Sequence, residues 1–410
     1  MSSSLPAPTQ CVILVGGLGT RLGDRLAGLP KPLVPVGGQP FLSYLLWHAR
    51  RFGFRRVLLL AGHRSEAIVS FIESQPKDPD FQVELVVEPA PMGTGGALRF
   101  AAGRLDERFF LLNGDSVFDF NWLDLVAVAA RQPETQAVLS LRHQSDASRF
   151  GVVELDGEQI SGFRERGDAN GGLINGGVYL LNRAVAEAAP EKGSFEAEVL
   201  PALAAQGRVA GRRQEGFFLD IGIPDALDAA QTLVPDSLRR PAIFFDRDGV
   251  LNVDHGYVHR EEDFEWTQGA VAAVKAANDR NLFTFLVTNQ AGVARGYFDE
   301  DAVRRLHRFV QDTLRAHGAH LDDIRHCPHH PDGTVEAFAK TCDWRKPGAG
   351  MITDLAAHWP VDLQRSQLIG DNPTDIQAAE RAGVGATLFE GGDLDRALAP
   401  LLDLAAGGRS

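Results

Sequence analysis

The sequence is poor in cysteine: only Cys11, Cys327 and Cys342 occur among 410 residues. Secreted domains that depend on disulfides carry many cysteines, usually in even number, so this scarcity excludes a disulfide-built fold. It favours a protein of a reducing compartment, and we expect a cytoplasmic location. The first eight residues contain no basic start and no long apolar run, so we also expect no signal peptide.

Long apolar runs and an excess of positive charge are also lacking. No stretch approaches the roughly 18 uninterrupted apolar residues that a membrane-spanning helix needs. The net charge of −13 argues against a nucleic-acid surface and against an anionic membrane. We therefore expect small molecules as partners, with no nucleic acid and no membrane. The sequence does not give the oligomeric state.

The chain is long enough for two domains, and 44% of its residues are hydrophobic. In both halves buried strands alternate with helices, which predicts an α/β fold with two Rossmann-like domains. Proline and charge cluster just before position 242 and indicate a linker. The predicted segments are a tail at 1–10, a first domain at 11–234, a linker at 235–241, a second domain at 242–395 and a C-terminal tail at 396–410.

Glycines follow the first buried strand, and two cations follow the glycines. The residues concerned are Gly16, Gly17, Gly19, Thr20, Arg21 and Lys31. Such glycines let backbone N–H groups approach a phosphate chain, and the cations balance its charge. A dinucleotide-binding loop is a weaker interpretation, because it needs a helix that starts at the loop, and the prolines at 30, 32 and 35 oppose one. A plain glycine-rich turn is the structural alternative.

Further small and acidic residues follow later strands of the first domain. They are Glu88, Gly93, Gly95 and Asp115, and Gly16 follows the first strand at the same edge. Because the carboxyl ends of parallel strands meet at one edge of a sheet, they predict a nucleotide crevice. Asp220 follows another apolar run and offers the second carboxylate that a Mg²⁺ site beside Asp115 needs.

Candidate sugar contacts lie in the section between these acids. They are Gly151, Glu165, Arg166 and Asn175. A Glu-Arg pair beside a glycine-rich strand can grip sugar hydroxyls and a phosphate. Taken alone, such a pair is more often a solvated surface pair.

Residues 11–234 resemble the sugar-1-phosphate nucleotidyltransferases, and most closely the D-glycero-D-manno-heptose 1-phosphate guanylyltransferases. The motifs that carry this resemblance are Gly16-Gly-Leu-Gly-Thr-Arg21, Pro30-Lys-Pro32, Gly93-Thr-Gly-Gly96, Asn113-Gly-Asp115, Gly151-Val-Val153, Asn175-Gly-Gly-Val-Tyr179 and Asp220-Ile-Gly-Ile-Pro224. The resemblance implies a GT-A-like domain in which Arg21 and Lys31 bind the triphosphate. It also implies that Asp115 and Asp220 hold Mg²⁺.

The same resemblance implies that Glu88 faces the base and that Gly151, Glu165 and Asn175 contact the sugar. Glu88 can accept hydrogen bonds from guanine N1–H and N2–H, which neutral adenine does not offer, so GTP is the expected triphosphate. CTP and ATP stay open, because backbone contacts often read the base. Arg166 stands where the family usually has lysine, and these two cations are not interchangeable at a phosphate.

The second domain begins with a buried strand that ends in Asp246-Arg-Asp248-Gly249. Two carboxylates at a strand end can hold a cation, or one can attack phosphorus while the other handles a proton. For this motif alone, a strand running into an Asp/Gly turn is an equal alternative. Later strand ends add Thr288 and Asp371, and Lys346 lies in a loop between them.

This set predicts phosphoryl transfer through an aspartyl-phosphate. Asp246 attacks phosphorus in line, and Asp248 protonates the leaving alcohol and later activates water. Mg²⁺ is held at Asp246, Asp248 and Asp371, with a backbone carbonyl among its ligands. Thr288 and Lys346 help to neutralise the phosphoryl oxygens.

The second domain resembles the haloacid-dehalogenase-type phosphatases, and within them the D-glycero-D-manno-heptose 1,7-bisphosphate 7-phosphatases. The motifs are Asp246-Arg-Asp-Gly-Val-Leu-Asn252, Gly256-Tyr-Val-His259, Thr288-Asn-Gln290, Ala294-Arg-Gly-Tyr-Phe298, Cys327-Pro-His-His-Pro331 and Arg345-Lys-Pro347. Arg345 is a candidate sugar-binding residue. Histidinol-phosphate phosphatase is a sister family with the same Cys-Pro-His start.

Two positions depart from that family. Its zinc loop has four ligands, and this chain keeps Cys327, His329 and Cys342 but has Trp344 where the fourth belongs. A closed structural zinc site needs four protein ligands, so zinc is open, and packing of Trp344 is the alternative way to hold the loop. Asn372 stands where relatives often carry lysine.

The two resemblances imply one bifunctional enzyme that uses Mg²⁺. It removes the 7-phosphate of a heptose 1,7-bisphosphate and then couples the heptose 1-phosphate to a nucleoside triphosphate for lipopolysaccharide or related glycans. One alternative is a transferase for another sugar 1-phosphate fused to a histidinol-phosphate-like phosphatase. The other is a sensor or scaffold with an inactive half, but such proteins usually lose the carboxylates that are present here.

Overall fold

The computed structural model of the chain describes residues 7–17, 19–164 and 171–407. The chain divides into two compact units, Met1–Ser237 and Leu238–Ser410. Each unit has its own sheet and its own apolar core.

The first unit alternates strands and helices up to Asn113 and then becomes richer in strands. Its strands are β1 (Gln10–Leu14), β2 (Pro35–Val36), β3 (Gln39–Pro40), β4 (Arg56–Ala61), β5 (Gln82–Val87), β6 (Arg108–Asn113), β7 (Ser116–Asp119), β8 (Ala137–Gln144), β9 (Val152–Asp156), β10 (Gln159–Arg164), β11 (Gly172–Asn182), β12 (Val209–Arg213) and β13 (Phe217–Asp220). Its α-helices are α1 (Phe41–Arg51), α2 (Ser65–Ser74), α3 (Gly93–Ala101), α4 (Asp124–Arg131), α5 (Arg183–Glu187), α6 (Leu200–Ala204) and α7 (Pro224–Ser237).

The main sheet of the first unit has the order β5-β4-β1-β6-β11-β8-β12-β10-β9. Its first four strands are parallel, and β11 joins β6 in the antiparallel direction. β1 is the short apolar run Gln-Cys-Val-Ile-Leu, and its Val12 lies between Leu58 and Leu111 in the core. Because β1, β5 and β6 end at the same edge, the loops after them meet there.

The chain after β1 forms a 3₁₀ helix at Thr20–Leu26 and another at Lys31–Leu33. The first α-helix starts only at Phe41, after Pro40. The loop therefore lacks the α-helix that a dinucleotide fingerprint needs, as the prolines predict. A separate antiparallel pair, β7 with β13, sets Asp220 opposite Ser116.

The second unit is a parallel sheet with helices between its strands. Its strands are β14 (Ala242–Phe245), β15 (Phe283–Asn289), β16 (Asp323–Cys327), β17 (Gln367–Gly370) and β18 (Gly385–Leu388). Its α-helices are α8 (Ala270–Asp279), α9 (Ala291–Ala294), α10 (Glu300–Ala316), α11 (Gly350–His358), α12 (Pro373–Ala382) and α13 (Leu394–Ala406). The order β16-β15-β14-β17-β18 makes β14 the point where the chain changes sides. In such sheets ligands bind at the carboxyl ends of the strands beside that point.

Two predicted boundaries differ from the structure. The linker at 235–241 is wrong at its start, because α7 continues to Ser237 and buries Val234. The tail at 396–410 is wrong for its first eleven residues, which belong to α13. Leu398, Leu401 and Leu402 of this helix lie in the core of the second unit. The apolar face needs burial, and that burial orders the segment.

Candidate active sites

The glycine loop after β1 lies against the end of β4 and against Glu88. A Cβ on Gly16 would sit 3.1 Å from the Gly62 nitrogen and 3.3 Å from Glu88 Oε1, so any side chain there would crowd both. Burial raises the pKa of Glu88, and the Met92 N–H donates a hydrogen bond of 3.3 Å to its Oε2. The structure thus places Gly16 and Glu88 together at the edge where β1 and β5 end.

The other loop glycines differ in what surrounds them. Gly17 has open space where a side chain would stand. Gly19 has φ 62° and begins the turn into the 3₁₀ helix at Thr20, a backbone conformation that favours glycine. Open backbone at this edge suits a phosphate chain, and contact of Gly17, Gly19 and Thr20 with a nucleotide stays a prediction.

Close packing within the protein explains why residues 93 and 95 are glycines. A Cβ on Gly93 would sit 2.4 Å from the Gly193 carbonyl oxygen. The Gly95 N–H donates to that same oxygen at 3.0 Å, and the Gly193 N–H donates to the Met92 carbonyl at 2.9 Å. The start of α3 is therefore joined by backbone hydrogen bonds to the segment around Gly193. The structure gives this packing as the reason for the glycines, and a nucleotide contact by them stays a prediction.

Lys31, Asp115 and Asp220 form a charged centre in the first unit. Lys31 is buried, and its Nζ lies 2.6 Å from Asp115 Oδ2. The Ile221 N–H donates to the Asp115 carbonyl at 2.9 Å, which fixes Asp220 beside it. Burial and the charge of Asp115 raise the pKa of Asp220, while Lys31 acts in the opposite direction. The two carboxylates are therefore neighbours, as a shared cation would require.

Cations reach the same centre from the loop and from a residue that the sequence did not single out. Arg21 Nη2 lies 3.5 Å from the position that a Cβ on Gly222 would take, and the Gly222 N–H donates to Asp220 Oδ1. Arg149 is close enough to lower the pKa of Asp220. Carboxylate oxygens are the ligands that Mg²⁺ prefers, so this set of residues fits Mg²⁺ beside a phosphate chain.

Asn175 belongs to a polar network in the first unit. Its Nδ2 donates to the Tyr179 hydroxyl at 2.7 Å, and that hydroxyl lies 3.3 Å from Glu196 Oε1. Asn113 Nδ2 lies 3.4 Å from the same Glu196 oxygen. Burial raises the pKa of both Tyr179 and Glu196. Sequence reasoning missed Glu196, which sits in a π-helical turn, Phe195–Val199, with no recognisable motif.

Of the remaining sugar candidates in the first unit, only Gly151 lies in the part of the chain that the structure describes. Gly151 directly precedes β9, where a Cβ would approach the Arg164 carbonyl oxygen to 3.3 Å. Glu165 and Arg166 lie outside the described residues. Their contact with a sugar therefore stays a prediction.

The acidic residues of the second unit meet at the edge where β14 and β17 end. Carboxylate oxygens of Asp246, Asp371 and Asp375 lie within 4.8 Å of one another. Gly249 has φ 81°, and a Cβ on it would lie 2.1 Å from Asp371 Oδ2, so only glycine lets the two loops approach. Burial raises the pKa of Asp246 to about 7, and the charge of Asp375 adds to this effect. Three hard oxygen ligands in one place fit Mg²⁺.

Lys346 lies between two of these carboxylates. Its Nζ is 2.7 Å from Asp246 Oδ1 and 2.6 Å from Asp375 Oδ1, and it donates to the Val287 carbonyl at 2.9 Å. Burial works against the ammonium, but the two carboxylates outweigh it and raise the pKa of Lys346. The lysine therefore stays charged and fixes the orientation of Asp246.

Asp375 and Asn289 support this arrangement, and sequence reasoning assigned them no role. Asp375 Oδ2 accepts the Asn372 N–H at 3.0 Å, while Asn372 Oδ1 accepts the Thr374 N–H at 3.1 Å, so the pair caps α12. Asn372, where relatives often carry lysine, is thus the helix cap. Asn289 exchanges two hydrogen bonds with the Lys346 backbone, of 3.0 and 3.1 Å, and so holds the lysine against β15.

Thr288 and Asp248 are joined through Gln290. Gln290 Nε2 lies 2.9 Å from Thr288 Oγ1 and 3.1 Å from Asp248 Oδ2. Thr288 is buried within β15, next to β14, the strand that Asp246 follows. The structure therefore brings together the five residues that the sequence predicts for phosphoryl transfer, namely Asp246, Asp248, Thr288, Lys346 and Asp371.

Cys327, His329 and Cys342 form a second group of metal-ligand type. Their ligand atoms lie within 4.8 Å of one another, and Cys327 Sγ is 3.8 Å from His329 Nδ1. Tetrahedral zinc with bonds of about 2.3 Å to sulfur and 2.0 Å to nitrogen places neighbouring ligand atoms at a similar separation. The three residues therefore fit three of the four positions of a tetrahedral zinc site. Trp344 instead packs its indole against Gly350, where a Cβ would lie 2.7 Å from its Cδ1.

Arg345, which follows Trp344, contacts the loop that carries His329. Its Nη1 donates to the His329 carbonyl at 3.2 Å. Burial lowers the pKa of Arg345, and the charge of Arg295 lowers it further. Two guanidinium groups near one another suit an anion, but contact of Arg345 with a sugar phosphate stays a prediction.

The sequences of known proteins show which family each unit resembles. Residues 10–237, more than half of the chain, match the family model of nucleotidyl transferases, and residues 343–402 match the model of HAD-hydrolase-like proteins. The D-glycero-β-D-manno-heptose-1,7-bisphosphate 7-phosphatase of Rhodopseudomonas palustris is 51% identical over 157 residues, which are 38% of this chain and 87% of the relative. The chain belongs to both families. It is a bifunctional enzyme of a nucleotidyltransferase unit and a phosphatase unit.

Solved structures resemble the nucleotidyltransferase unit as well. HddC from Yersinia pseudotuberculosis is 30% identical, with a TM-score of 0.49, over 55% of this chain and 98% of that one. A glucose-1-phosphate thymidylyltransferase structure from Bacillus anthracis, described as putative, is 20% identical with a TM-score of 0.50, over 55% and 95% of the two chains, and shows the shared fold alone. The predicted families and fold class are confirmed.

In the part of the nucleotidyltransferase–phosphatase chain that the structure describes, no helix combines the length and the apolar character that crossing a membrane requires.

Proposed function

We propose that the chain converts a heptose 1,7-bisphosphate into a nucleoside-diphosphate heptose in two steps. The phosphatase unit removes the 7-phosphate, and the nucleotidyltransferase unit activates the heptose 1-phosphate that remains. One observation carries this proposal. The phosphatase relative is named for a 1,7-bisphosphate and for its 7-position, so its reaction leaves a sugar 1-phosphate, which suits a nucleotidyltransferase on the same chain.

In the phosphatase unit, Asp246 is the nucleophile. Lys346 holds one of its oxygens at 2.7 Å, which leaves the other free to attack the 7-phosphorus in line. Asp248 gives a proton to the leaving sugar oxygen and then takes one from the attacking water. Asp246, Asp371 and the backbone at Asp248 would hold Mg²⁺, which when bound supplies charge to balance the phosphoryl oxygens.

In the nucleotidyltransferase unit, the sugar phosphate oxygen attacks the α-phosphorus of the triphosphate and pyrophosphate leaves. Arg21, Lys31 and the N–H groups of the glycine loop carry the charge of the phosphates. Asp115 and Asp220 would hold Mg²⁺ there. No covalent intermediate with the enzyme is needed, because both reactants are bound together.

GTP is the proposed triphosphate. Glu88 lies beside Gly16, and its carboxylate accepts hydrogen bonds. Guanine offers N1–H and N2–H on one edge, whereas adenine offers a donor beside an acceptor. A carboxylate therefore discriminates between the two bases.

We place the enzyme in the cytoplasm and its product in the supply of lipopolysaccharide or a related surface glycan. The small number of cysteines supports the first statement, and the heptose assignment supports the second. We further propose that Cys327, His329 and Cys342 bind zinc as three protein ligands.

Phosphorus-31 NMR of the purified protein with Mg²⁺ and heptose 1,7-bisphosphate tests the proposal. Inorganic phosphate should appear first, and pyrophosphate with a nucleotide sugar should follow when GTP is added. ATP, CTP and UTP are the base controls, each anomer is tried, and histidinol phosphate is the control for the sister family. Release of phosphate from histidinol phosphate but not from the heptose would overturn the substrate assignment.

A further inference from the structure

Arg247 lies between two residues of the phosphatase site, Asp246 and Asp248, and its side chain is fully buried. A guanidinium keeps its charge in proteins, and a buried charge needs an opposite charge close by. Asp248 supplies it. Arg247 Nη2 lies 2.8 Å from Asp248 Oδ2 and 3.0 Å from Oδ1, and Arg247 Nε lies 3.2 Å from Oδ1.

Two neutral side chains complete the contacts of this carboxylate. Asn252 Nδ2 donates to Asp248 Oδ1 at 3.1 Å, and Gln290 Nε2 donates to Oδ2 at 3.1 Å. Each of them supplies one bond to one oxygen. Arg247 alone spans both oxygens, and charge-assisted bonds are about twice as strong as neutral ones. The orientation of Asp248 therefore depends chiefly on Arg247.

The same guanidinium also reaches the segment that follows the strand-end motif. Arg247 Nη2 donates to the Val258 carbonyl at 2.6 Å, and Val258 is buried. This contact comes from the nitrogen that also contacts both oxygens of Asp248, and it ties the guanidinium to the backbone of that segment. The Nη2 group of Arg247 is thus shared between Asp248 and the Val258 carbonyl.

We propose that Arg247 is a positioning residue that orients Asp248 for both proton transfers of the phosphatase reaction. This inference rests on the proposed phosphatase function. In the first transfer the bond from Asp246 to phosphorus forms, the bond from phosphorus to the sugar oxygen breaks, and the proton of Asp248 passes to that oxygen. In the second, a water oxygen bonds to phosphorus, the bond to Asp246 breaks, and a water proton returns to Asp248.

The role has a signature that general loss of structure does not share. An alkoxide is a poor leaving group and needs the proton, whereas p-nitrophenolate leaves without one. A misplaced Asp248 therefore slows attack on a sugar phosphate but not attack on p-nitrophenyl phosphate. Hydrolysis of the aspartyl-phosphate still needs Asp248, so it becomes slow with both substrates.

The test compares Arg247→Lys and Arg247→Gln in the full-length protein with Mg²⁺, using rapid quenching. With heptose 1,7-bisphosphate we expect kcat to fall at least about 100-fold, the lower end of what acid–base catalysis contributes. With p-nitrophenyl phosphate we expect a burst of one equivalent of p-nitrophenol followed by slow turnover. Lysine keeps the charge but cannot form the planar fork, so it should not restore the rate.

Arg260→Gln is the matched control, because Arg260 pairs with Asp263 in the same segment. The rates with heptose 1,7-bisphosphate and with p-nitrophenyl phosphate should be the same in this variant as in the wild type. Full activity of the Arg247 variants on the sugar phosphate, or equal losses on both substrates without a burst, would overturn the proposal. Thermal unfolding checks that each variant is folded, and Arg247→Lys serves if the glutamine variant is not.

If the heptose assignment is wrong, the wild type gives a different result from the one that would overturn the role of Arg247. The wild type would then hydrolyse p-nitrophenyl phosphate but not heptose 1,7-bisphosphate. A series of aryl phosphates with leaving groups of increasing basicity would still decide the role of Arg247. In its variants the first-step rate should fall more steeply with leaving-group basicity than in the wild type, and equal slopes would overturn the proposal.

Discussion

Single side chains in both units have more than one partner, and this limits which substitutions leave the rest of a site intact. Lys346 contacts Asp246, Asp375 and the Val287 carbonyl with one ammonium group. Glu88 has a simpler setting, since a single N–H, that of Met92, is described as donating to it. Glu88 is therefore the cleaner residue for a test of base recognition.

Glu88→Gln should lower kcat/KM for GTP by roughly 10- to 100-fold, because one acceptor is replaced by a donor that faces a guanine N–H. The rate with ATP should change less than about threefold. Initial rates of pyrophosphate release with each triphosphate measure both values. Glu84→Gln is a control on the same strand, where the carboxylate pairs with Arg104. An equal loss with both bases would show that Glu88 does not read the base.

The raised pKa of Asp246 predicts how Mg²⁺ binding to the phosphatase unit depends on pH. Without metal this pKa is about 7, and Mg²⁺ needs the ionised carboxylate. Below pH 7 a proton must leave when Mg²⁺ binds, so the apparent affinity should fall by about tenfold for each unit of pH. Above pH 7 it should be nearly constant. Calorimetric titration in buffers of different ionisation enthalpy counts the released proton.

Lys346→Met gives this pH prediction a second check. The charge of Lys346 lowers the pKa of Asp246, so its removal should move the break in the Mg²⁺ profile to higher pH. Lys275→Met is the control, because Lys275 pairs with Asp279 on α8. A profile that is flat between pH 6 and pH 8 in the wild type would contradict the assignment.

At this scale the sequence predicts the reactive residues better than their supports. Asp246, Asp248, Thr288, Lys346 and Asp371 follow strands or lie in a recognisable motif, so position along the chain points to them. Asp375 reads as an ordinary helix residue, and its contact with Lys346 depends on how α12 meets a loop 29 residues earlier. Glu196 approaches Asn113 across a separation of 83 residues in the same way. Side-chain contacts over such distances depend on packing that no local pattern records.

Among the elements, α13 has an apolar pattern that is present in the sequence, although the sequence analysis predicts a C-terminal tail from residue 396 onward. Pro400 lies inside the helix, where it removes a backbone hydrogen bond. A proline among the periodic leucines argues against a helix when only the sequence is considered. Asp393 caps the helix by accepting a hydrogen bond from the Arg396 N–H. Burial against the core of the second unit then outweighs the unfavourable proline.

Leu402→Ala should therefore destabilise the phosphatase unit by about 2–5 kcal/mol, the usual range for a buried leucine. Leu402 is 1% exposed, and Leu404 on the same helix is 64% exposed. Leu404→Ala should change stability by less than about 0.5 kcal/mol. Urea unfolding followed by loss of phosphatase activity compares the two variants. Equal midpoints would show that α13 does not stabilise the unit.

The loop with Cys327, His329 and Cys342 gives a prediction about a candidate zinc site that has three protein ligands. In Trp344→Cys the new thiolate joins Cys327, His329 and Cys342 as a fourth protein ligand. Zinc should therefore bind to this variant at least about tenfold more tightly than to the wild type. Cobalt titration should show an added thiolate in the absorption spectrum. Trp344→Ser is the control, because it removes the indole packing without a thiol. No difference between the cysteine and serine variants would contradict the three-ligand assignment.

For the molecule as a whole, motif order predicts two catalytic units, because the α/β pattern restarts at Ala242 with its own strand-end carboxylates. Strand order is what the sequence does not contain. The position of β14 between β15 and β17 places Asp246 between the strand that carries Thr288 and the strand that Asp371 follows, and this order becomes visible only in the folded sheet. The two sites are built from different residues, so each should be removable on its own.

Asp246→Asn should abolish phosphate release from heptose 1,7-bisphosphate and leave nucleotidyl transfer to added heptose 1-phosphate within about twofold, because the nucleophile belongs to one unit only. Asp220→Asn should do the reverse, since it removes one carboxylate from the proposed Mg²⁺ site. An equal mixture of the two variants should again form nucleotide sugar from the bisphosphate, after a lag while heptose 1-phosphate accumulates in solution. Phosphorus-31 NMR follows both products in one sample. Loss of both activities in either folded variant would show that the two units do not act independently. A mixture that forms no nucleotide sugar would show that the two reactions are not joined by a free sugar 1-phosphate.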